Sequence, residues 1–223
     1  MKFTLLDFPG KLACTVFTQG CNLRCPFCHN TSLVLPEKLT ESISEDDFFS
    51  FLDTRCGILE GVAVSGGEPL LHPDIGEFLS RIREFGYTTK LDTNGAFPDR
   101  LKQLVSDGLV DYVAMDIKSS PKGYAIASGA DALDKIRQSV DFLLSNKVEY
   151  EFRTTAVKPI HSTEDFTAIG EWIAGASKYY IQCFVDSGDI LGGGGYSAPS
   201  DEELLSYLEA VRQYVPNAEL RGH

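Results

Sequence analysis

The sequence predicts an α/β fold built on a parallel sheet. Apolar, β-branched runs alternate with helical patterns along nearly the whole chain. About six such βα units follow one another in 223 residues. No Pro/Ser-rich linker, matching repeat or block of like charge divides them, so one domain spanning residues 1–223 is expected. Strands separated by helices pair in parallel through right-handed crossovers. Six units are too few for a full eight-fold barrel. A doubly wound sheet or an open, partial barrel remains.

The elements follow in order. LACTVFT (12–18) reads as strand from its Val, Thr and Phe. SEDDFFSFLDTR (44–55) reads as helix, with Ser44 as N-cap and acids in the first turn, where they suit the helix dipole. GVAVS (61–65) is strand, then helix runs from Pro73 to Phe85. TTKLDT (88–93) is strand, followed by a helix carrying Leu101, Leu104 and Val105. YVAMDIK (112–118) is strand. Leu133, Ile136, Val140, Leu143 and Leu144 then repeat at the 3–4 spacing of a helix face. VEYEFRTTAV (148–157) is strand, DFTAIGEWIAG (165–175) helix, and YYIQCFV (179–185) strand. GDILGGGGYSAPS (188–200) reads as a flexible loop or as a flap at the strand ends. A last helix carries Leu204, Leu205, Leu208 and Val211, and AELR adds a short edge strand.

A formal net charge of −12 argues against a nucleic-acid partner, because phosphate binding needs clustered Lys and Arg. No apolar run reaches the ~18 residues of a membrane span. MKFTLLDFPGK shows no signal-peptide pattern, so a cytoplasmic protein is expected. There are six cysteines, and in such a chain clustered cysteines bind metal or do redox work.

Cys21, Cys25 and Cys28 stand at C-x3-C-x2-C, a spacing that no single regular element carries. It needs a loop wrapped around a compact object. A cubane iron–sulfur cluster has four irons and normally takes four thiolates. Three thiolates leave one iron open, as catalytic metal sites do. Two other readings stand beside this one. A Cys3His zinc would enlist His29, but adjacent Cys28 and His29 are awkward ligands for one ion. A redox C-x-x-C at Cys25–Cys28 leaves Cys21 unexplained.

The remaining motifs fall at strand C-terminal ends, where open α/β folds bind ligands. In VSGGEPLL (64–71), Gly66 and Gly67 admit a ligand to the backbone, and Glu68 would accept from an ammonium. LDTNG (91–95) offers Asp92 and Thr93 as oxygen ligands. In MDIK (115–118), Asp116 and Lys118 alternate onto one face. Arg153 suits a carboxylate. A glycine-rich turn, a structural Asp–Lys pair and a surface salt bridge are the plain alternatives. Together the groups form a holder for a zwitterion. Asp92 and Glu68 suit its ammonium end, Lys118 and Arg153 its carboxylate end.

At this point the chain resembles the radical S-adenosylmethionine (radical SAM) superfamily. C-x3-C-x-Φ-C with Phe27 is its signature and GGEP its second motif. FTQGCNLRCPFCHN, VSGGEPLL, LDTNG and MDIK follow the order and spacing of pyruvate formate-lyase activating enzymes, one of the glycyl radical enzyme activating families. LLDFPGKLACTVFTQGC and VPNAELRG look most like the short activases of anaerobic ribonucleotide reductase.

The resemblance implies an open partial (β/α)6 barrel of the radical SAM type. It implies a [4Fe–4S] cluster on Cys21, Cys25 and Cys28, and S-adenosylmethionine (SAM) at the open iron. Phe27, Cys28 and His29 would run past the adenine. Gly66 and Gly67 would approach the methionine part, and Asp116, Ile117 and Lys118 would line the SAM site. Asp92, the Thr93 and Ala114 carbonyls and Asp116 would match a site for K+ or Na+. On that expectation SAM affinity depends on the cation, since two carboxylates at one mouth need neutralising. The protein substrate would be a glycyl radical enzyme, with flavodoxin or ferredoxin as electron donor. A small-molecule or peptide substrate is the alternative.

One departure stands out. The family places a histidine near SAM after the last strand; here YIQCFVDSG puts Val185 there, leaving Gln182 or the glycine loop to substitute. Cys14, Cys56 and Cys183 stand singly, so no further cluster is expected and all three read as buried core residues.

Overall fold

The computed structural model describes residues 3–4, 7–39, 41–186 and 188–222. Part of the signal-peptide reading rests on residues 1–2 and 5–6, outside the described residues.

The strands are β1 (Phe3–Thr4), β2 (Ala13–Thr18), β3 (Gly61–Gly66), β4 (Thr88–Thr93), β5 (Tyr112–Asp116), β6 (Glu149–Ala156), β7 (Tyr179–Cys183) and β8 (Ala218–Arg221). All join one sheet in chain order; β1 is antiparallel to β2 and the rest run parallel. A doubly wound sheet would reverse its strand order at a switch point. This order never reverses, so the sheet curls in one direction as a partial barrel. Its outermost strands, β1 and β8, do not pair with each other, and the barrel stays open. AELR is therefore a seventh parallel strand.

The helices are α1 (Thr31–Val34), α2 (Glu45–Asp53), α3 (Ile75–Glu84), α4 (Pro98–Ser106), α5 (Tyr124–Ser128), α6 (Leu133–Leu144), α7 (Thr163–Trp172) and α8 (Asp201–Arg212). Ser44 caps α2 by accepting from the Asp47 amide at 3.1 Å. Ser162 and Ser200 each close a capping box, with Asp165 and Glu203. Those Ser-x-x-acid patterns start α7 and α8 sharply.

Alternation divides the sheet into two chemistries. Val62, Val64, Leu91, Val113, Met115, Phe152 and Ile181 face the helices and are fully buried against residues such as Leu79, Leu101, Val140, Ile169 and Val211. Each such side chain stabilises the fold by roughly 1.5–3 kcal/mol. The other face carries Lys90, Asp92, Asp116, Glu151 and Arg153. This outer core sets the strand register, and the register sets the inner polar face.

Several expectations are corrected. β5 stops at Asp116, because the Lys118 carbonyl leaves the ladder to accept from the His161 ring at 2.9 Å. Cys14 is buried and Cys183 half-buried, but Cys56 is exposed. It lies in the turn beyond α2, past the buried face made by Phe48, Phe49 and Leu52. No described helix is long and apolar enough to cross a membrane.

Candidate active site

The three cysteines lie on the loop between β2 and α1, fixed from three sides. From the β3 side, the Gly67 amide donates to the Thr18 carbonyl at 3.0 Å and the Glu68 amide to the Gly20 carbonyl at 2.9 Å. Gly67 leaves no room for a side chain. A Cβ there would sit 2.7 Å from the Gly20 carbonyl carbon, with the oxygen nearer still. From α5, the Ser128 carbonyl accepts from the Arg24 amide at 2.9 Å. Gly129 follows in the left-handed region at φ +66°, where a side chain would strike Arg24.

The third support is the glycine loop after β7. The Leu191 amide donates to the Cys28 carbonyl at 3.0 Å and the Gly192 amide to the Pro26 carbonyl at 2.7 Å. Ile190 and Tyr196 pack against a small apolar cluster of Leu23, Cys25, Phe27, Ala127, Val157 and Phe184. Asp189 anchors the loop by accepting from Thr31 and, at 2.7 Å, from Lys38. The stretch is thus a strap across the cysteine loop. Gly188, Gly193, Gly194 and Gly195 stand in open space.

Burial pushes the Cys25 thiol up to about 11 and raises that of Cys21. A buried thiolate in apolar surroundings needs a positive partner, which a metal supplies. Among the described residues no three His, Cys, Asp or Glu side chains converge on one ion. A cubane places each thiolate on a different iron, so it asks for a wider triangle than zinc does. An all-thiolate donor set on a glycine-cradled loop fits a [4Fe–4S] cluster.

The loop closes one wall of a cavity of about 370 Å³. The opposite wall is a chain of alternating charges. Asp116 on β5 and Arg153 on β6 are register partners, and Arg153 Nε donates to Asp116 at 2.9 Å. Arg153 Nη1 also reaches Asp92 at 3.4 Å. Lys118 Nζ holds the other Asp116 oxygen at 3.0 Å, and buried Lys90 holds the other Asp92 oxygen. Burial disfavours the Asp116 carboxylate, but Arg153 and Lys118 outweigh it and hold its pKa well below the carboxylate range. Burial works equally against the Lys118 ammonium, and Asp116 reverses that, raising its pKa. Two carboxylates thus have three protein cations. The charge argument for a bound K+ or Na+ falls, because Lys90 and Arg153 already neutralise the pair.

Cys21, Cys25, Phe27, Cys28 and His29 line the cavity on one side. Gly66, Gly67, Asp92, Thr93, Asp116, Lys118 and Arg153 line it on the other. Three expected residues do not. Glu68 is fully buried, accepting from Leu70 N at 3.0 Å, Asn94 N at 2.7 Å and Thr93 Oγ1 at 2.8 Å. It ties the loop after β3 to the loop after β4, and burial raises its pKa to about 7. Ile117 and Ala114 are fully buried, Ile117 within the core beneath the helices.

Other lining residues went unread in the sequence. Ser65 and Thr155 sit at strand ends on the inner face, findable by counting two residues along each strand. Asn94, part of an apparent turn signal, donates to Asn22 at 2.9 Å and points toward Cys21 Sγ at 3.9 Å. Val185 is 68% exposed and does not line the cavity, whereas Gln182 does. His161 accepts at Nδ1 from the Val157 amide and donates from Nε2, its ring 6.2 Å from that of Phe27.

The model of the radical SAM superfamily matches residues 15–173. A Methanocaldococcus jannaschii protein named as a glycyl-radical enzyme activating enzyme is 31% identical, over 99% of this chain and 93% of its own length. The pyruvate formate-lyase-activating enzyme of Listeria monocytogenes is 36% identical over 51% of this chain and 49% of its own. In three dimensions, Streptococcus suis SuiB bound to S-adenosylmethionine superposes with a TM-score of 0.73 at 14% identity. That match covers 95% of this chain and 50% of SuiB, and bears on the fold alone.

Proposed function

The chain belongs to the radical SAM superfamily, and from that premise we propose that it activates a glycyl radical enzyme by removing a hydrogen atom from one of that enzyme's glycines. Pyruvate formate-lyase and anaerobic ribonucleotide reductase represent the substrate class. Similarity to activating enzymes over nearly the full chain supports the reading. The observation that carries it is the three-cysteine loop closing one wall of a cavity whose other wall is the ion chain.

Cys21, Cys25 and Cys28 would hold the [4Fe–4S] cluster in this reading. When bound, the cluster supplies one electron that splits SAM into methionine and a 5′-deoxyadenosyl radical, the species that takes the hydrogen atom. The protein's own groups bind, orient and exclude water. Lys118 faces the SAM carboxylate, and the Asp92–Arg153–Asp116 chain positions Lys118 while offering spare carboxylate lone pairs to the ammonium. Gly66 and Gly67 give the backbone close access to the methionine part. Phe27, Cys28 and His29 flank the adenine. The strap covers part of the cysteine loop and helps bury Cys25. No added monovalent cation is needed, because Lys90 supplies the charge. Flavodoxin or ferredoxin delivers the electron, in the cytoplasm, and residues 1–223 form one radical SAM domain.

Anaerobic incubation with reductant, SAM and the glycyl radical enzyme encoded in the same genome tests the proposal. A glycine-centred radical in the electron paramagnetic resonance spectrum is the expected result. SAM cleavage without that radical, alongside turnover of a small molecule, would refute it.

A further inference from the structure

We propose that a groove beside β2, with Phe17 at its lip, docks an extended, Lys- or Arg-bearing segment of the glycyl radical enzyme next to its reactive glycine. The inference rests on the function proposed above and gives it a partner-binding surface.

The groove holds about 590 Å³, more than the cavity beside the cysteines. Its apolar lining includes Val16, Phe17, Leu33, Ile43, Phe48 and Phe78. Val16 packs into the core under the helices, so alternation turns Phe17 to the inner face of β2. Among the described residues β1 pairs with β2 only at Ala13 and Cys14, short of Phe17. Here the barrel is open, and Phe17 is 56% exposed. Ile43, across the groove, is 60% exposed. Large apolar side chains this exposed around one concavity mark an interaction site rather than ordinary surface.

Two features name the occupant. Asp7 lines both the groove and the cysteine-side cavity, so a chain lying in the groove runs on toward the reaction site. A glycine delivered there needs flanking residues held outside, and the groove is where such residues would lie. The second feature is charge. Asp7, Glu41 and Glu45 stand among the lining residues, and among the described residues no Lys or Arg does. Arg81 reaches Glu45 only at 3.7 Å, from outside. An acidic rim selects a basic segment and disfavours a second copy of a chain whose net charge is −12.

The test uses the cluster-loaded protein and its glycyl radical enzyme. Phe17→Glu and Ile43→Glu are compared with the parent in two assays. The first is uncoupled SAM cleavage driven by dithionite; the second is glycyl radical yield against partner concentration. Cleavage is expected to stay within about twofold, because neither residue touches the SAM cavity, while half-saturating partner rises about tenfold or more. Glu41→Lys is expected to raise it too, and to weaken its dependence on salt. Unchanged half-saturation in both apolar variants overturns the groove and leaves the activase reading intact. Absence of the radical with the parent protein overturns both. A dimer in sedimentation that Phe17→Glu converts to monomer assigns the groove to self-association and overturns the inference.

Discussion

Gly67→Ala should cost this protein its cluster more than its fold. The backbone of Gly67 is not in the left-handed region, so alanine meets no dihedral strain there. Its penalty is contact. The new methyl would lie 2.7 Å from the Gly20 carbonyl carbon and 3.3 Å from Cys21 Cβ, where ordinary contact begins near 3.4 Å. The obstacle is backbone, which has no rotamer to change. The cysteine loop must retreat by about 0.7 Å, and by more at the carbonyl oxygen. That retreat lengthens the Glu68-to-Gly20 hydrogen bond, now 2.9 Å, and moves Cys21 away from Cys25 and Cys28. Overpacking of this kind costs about 1–3 kcal/mol. For a chain of this length that is a fall of roughly 2–12 °C in Tm. Cluster retention should suffer further, since a cubane tolerates little change in the spacing of its thiolates. The assay is iron and sulfide content after anaerobic reconstitution, with thermal unfolding beside it. Gly194→Ala, where nothing lies within 4 Å, is the control and should match the parent. Full iron content and an unshifted Tm in Gly67→Ala would refute the close-approach argument.

Three further outcomes follow from the ion chain and from Glu68. Arg153→Leu strands Asp92 and Asp116 without their shared cation and should lower unfolding stability by about 3 kcal/mol, read from the denaturant midpoint; an unmoved midpoint would show that Lys90 and Lys118 suffice. SAM affinity should be the same in K+ and in a bulky organic cation, because Lys90 already faces Asp92; a tenfold or larger dependence, about 1.4 kcal/mol, would restore the cation site. Glu68 has its pKa raised from 4.5 to about 7 by burial, so the folded state keeps a proton that the unfolded chain releases between those values. Its contribution to stability is full below pH 4.5 and is lost as pH rises toward 7. Glu68→Gln should flatten that slope in denaturant titrations across the same range, and an unchanged slope would assign it to another group.

Much of this was legible in the sequence because parallel strands spell themselves out. TTKLDT is β4 residue for residue, and alternation along YVAMDIK correctly set Asp116 and Lys118 on one face. The same alternation, carried back two residues from Asp92, reaches Lys90; reading Asp92 without it made a bound cation look necessary. Glu68 was misplaced for a different reason. Its GGEP context marks a ligand-facing turn, but the first proline-led turn after β3 rotates the carboxylate inward to the amides of Leu70 and Asn94. The short helix α5 has too few residues to show a period. The strap was the least legible element. Its composition reads as a flexible linker, and its docking depends on partners more than 150 residues away in sequence, as Asp189 on Thr31 does.

That separation fixes an order of events as the chain is made. The cysteines emerge early from the ribosome, but the amides that cap the Cys28 and Pro26 carbonyls belong to Leu191 and Gly192, near the other end. The carbonyl of Ser128 that holds Arg24 arrives in between. A nascent chain therefore displays three thiols on an unfinished loop, open to whatever delivers iron and sulfide. Closure comes only when β7 has been laid down and the strap can dock. A chain cut before residue 188 would carry Cys21, Cys25 and Cys28 and still lack the Leu191 and Gly192 amides that hold their loop.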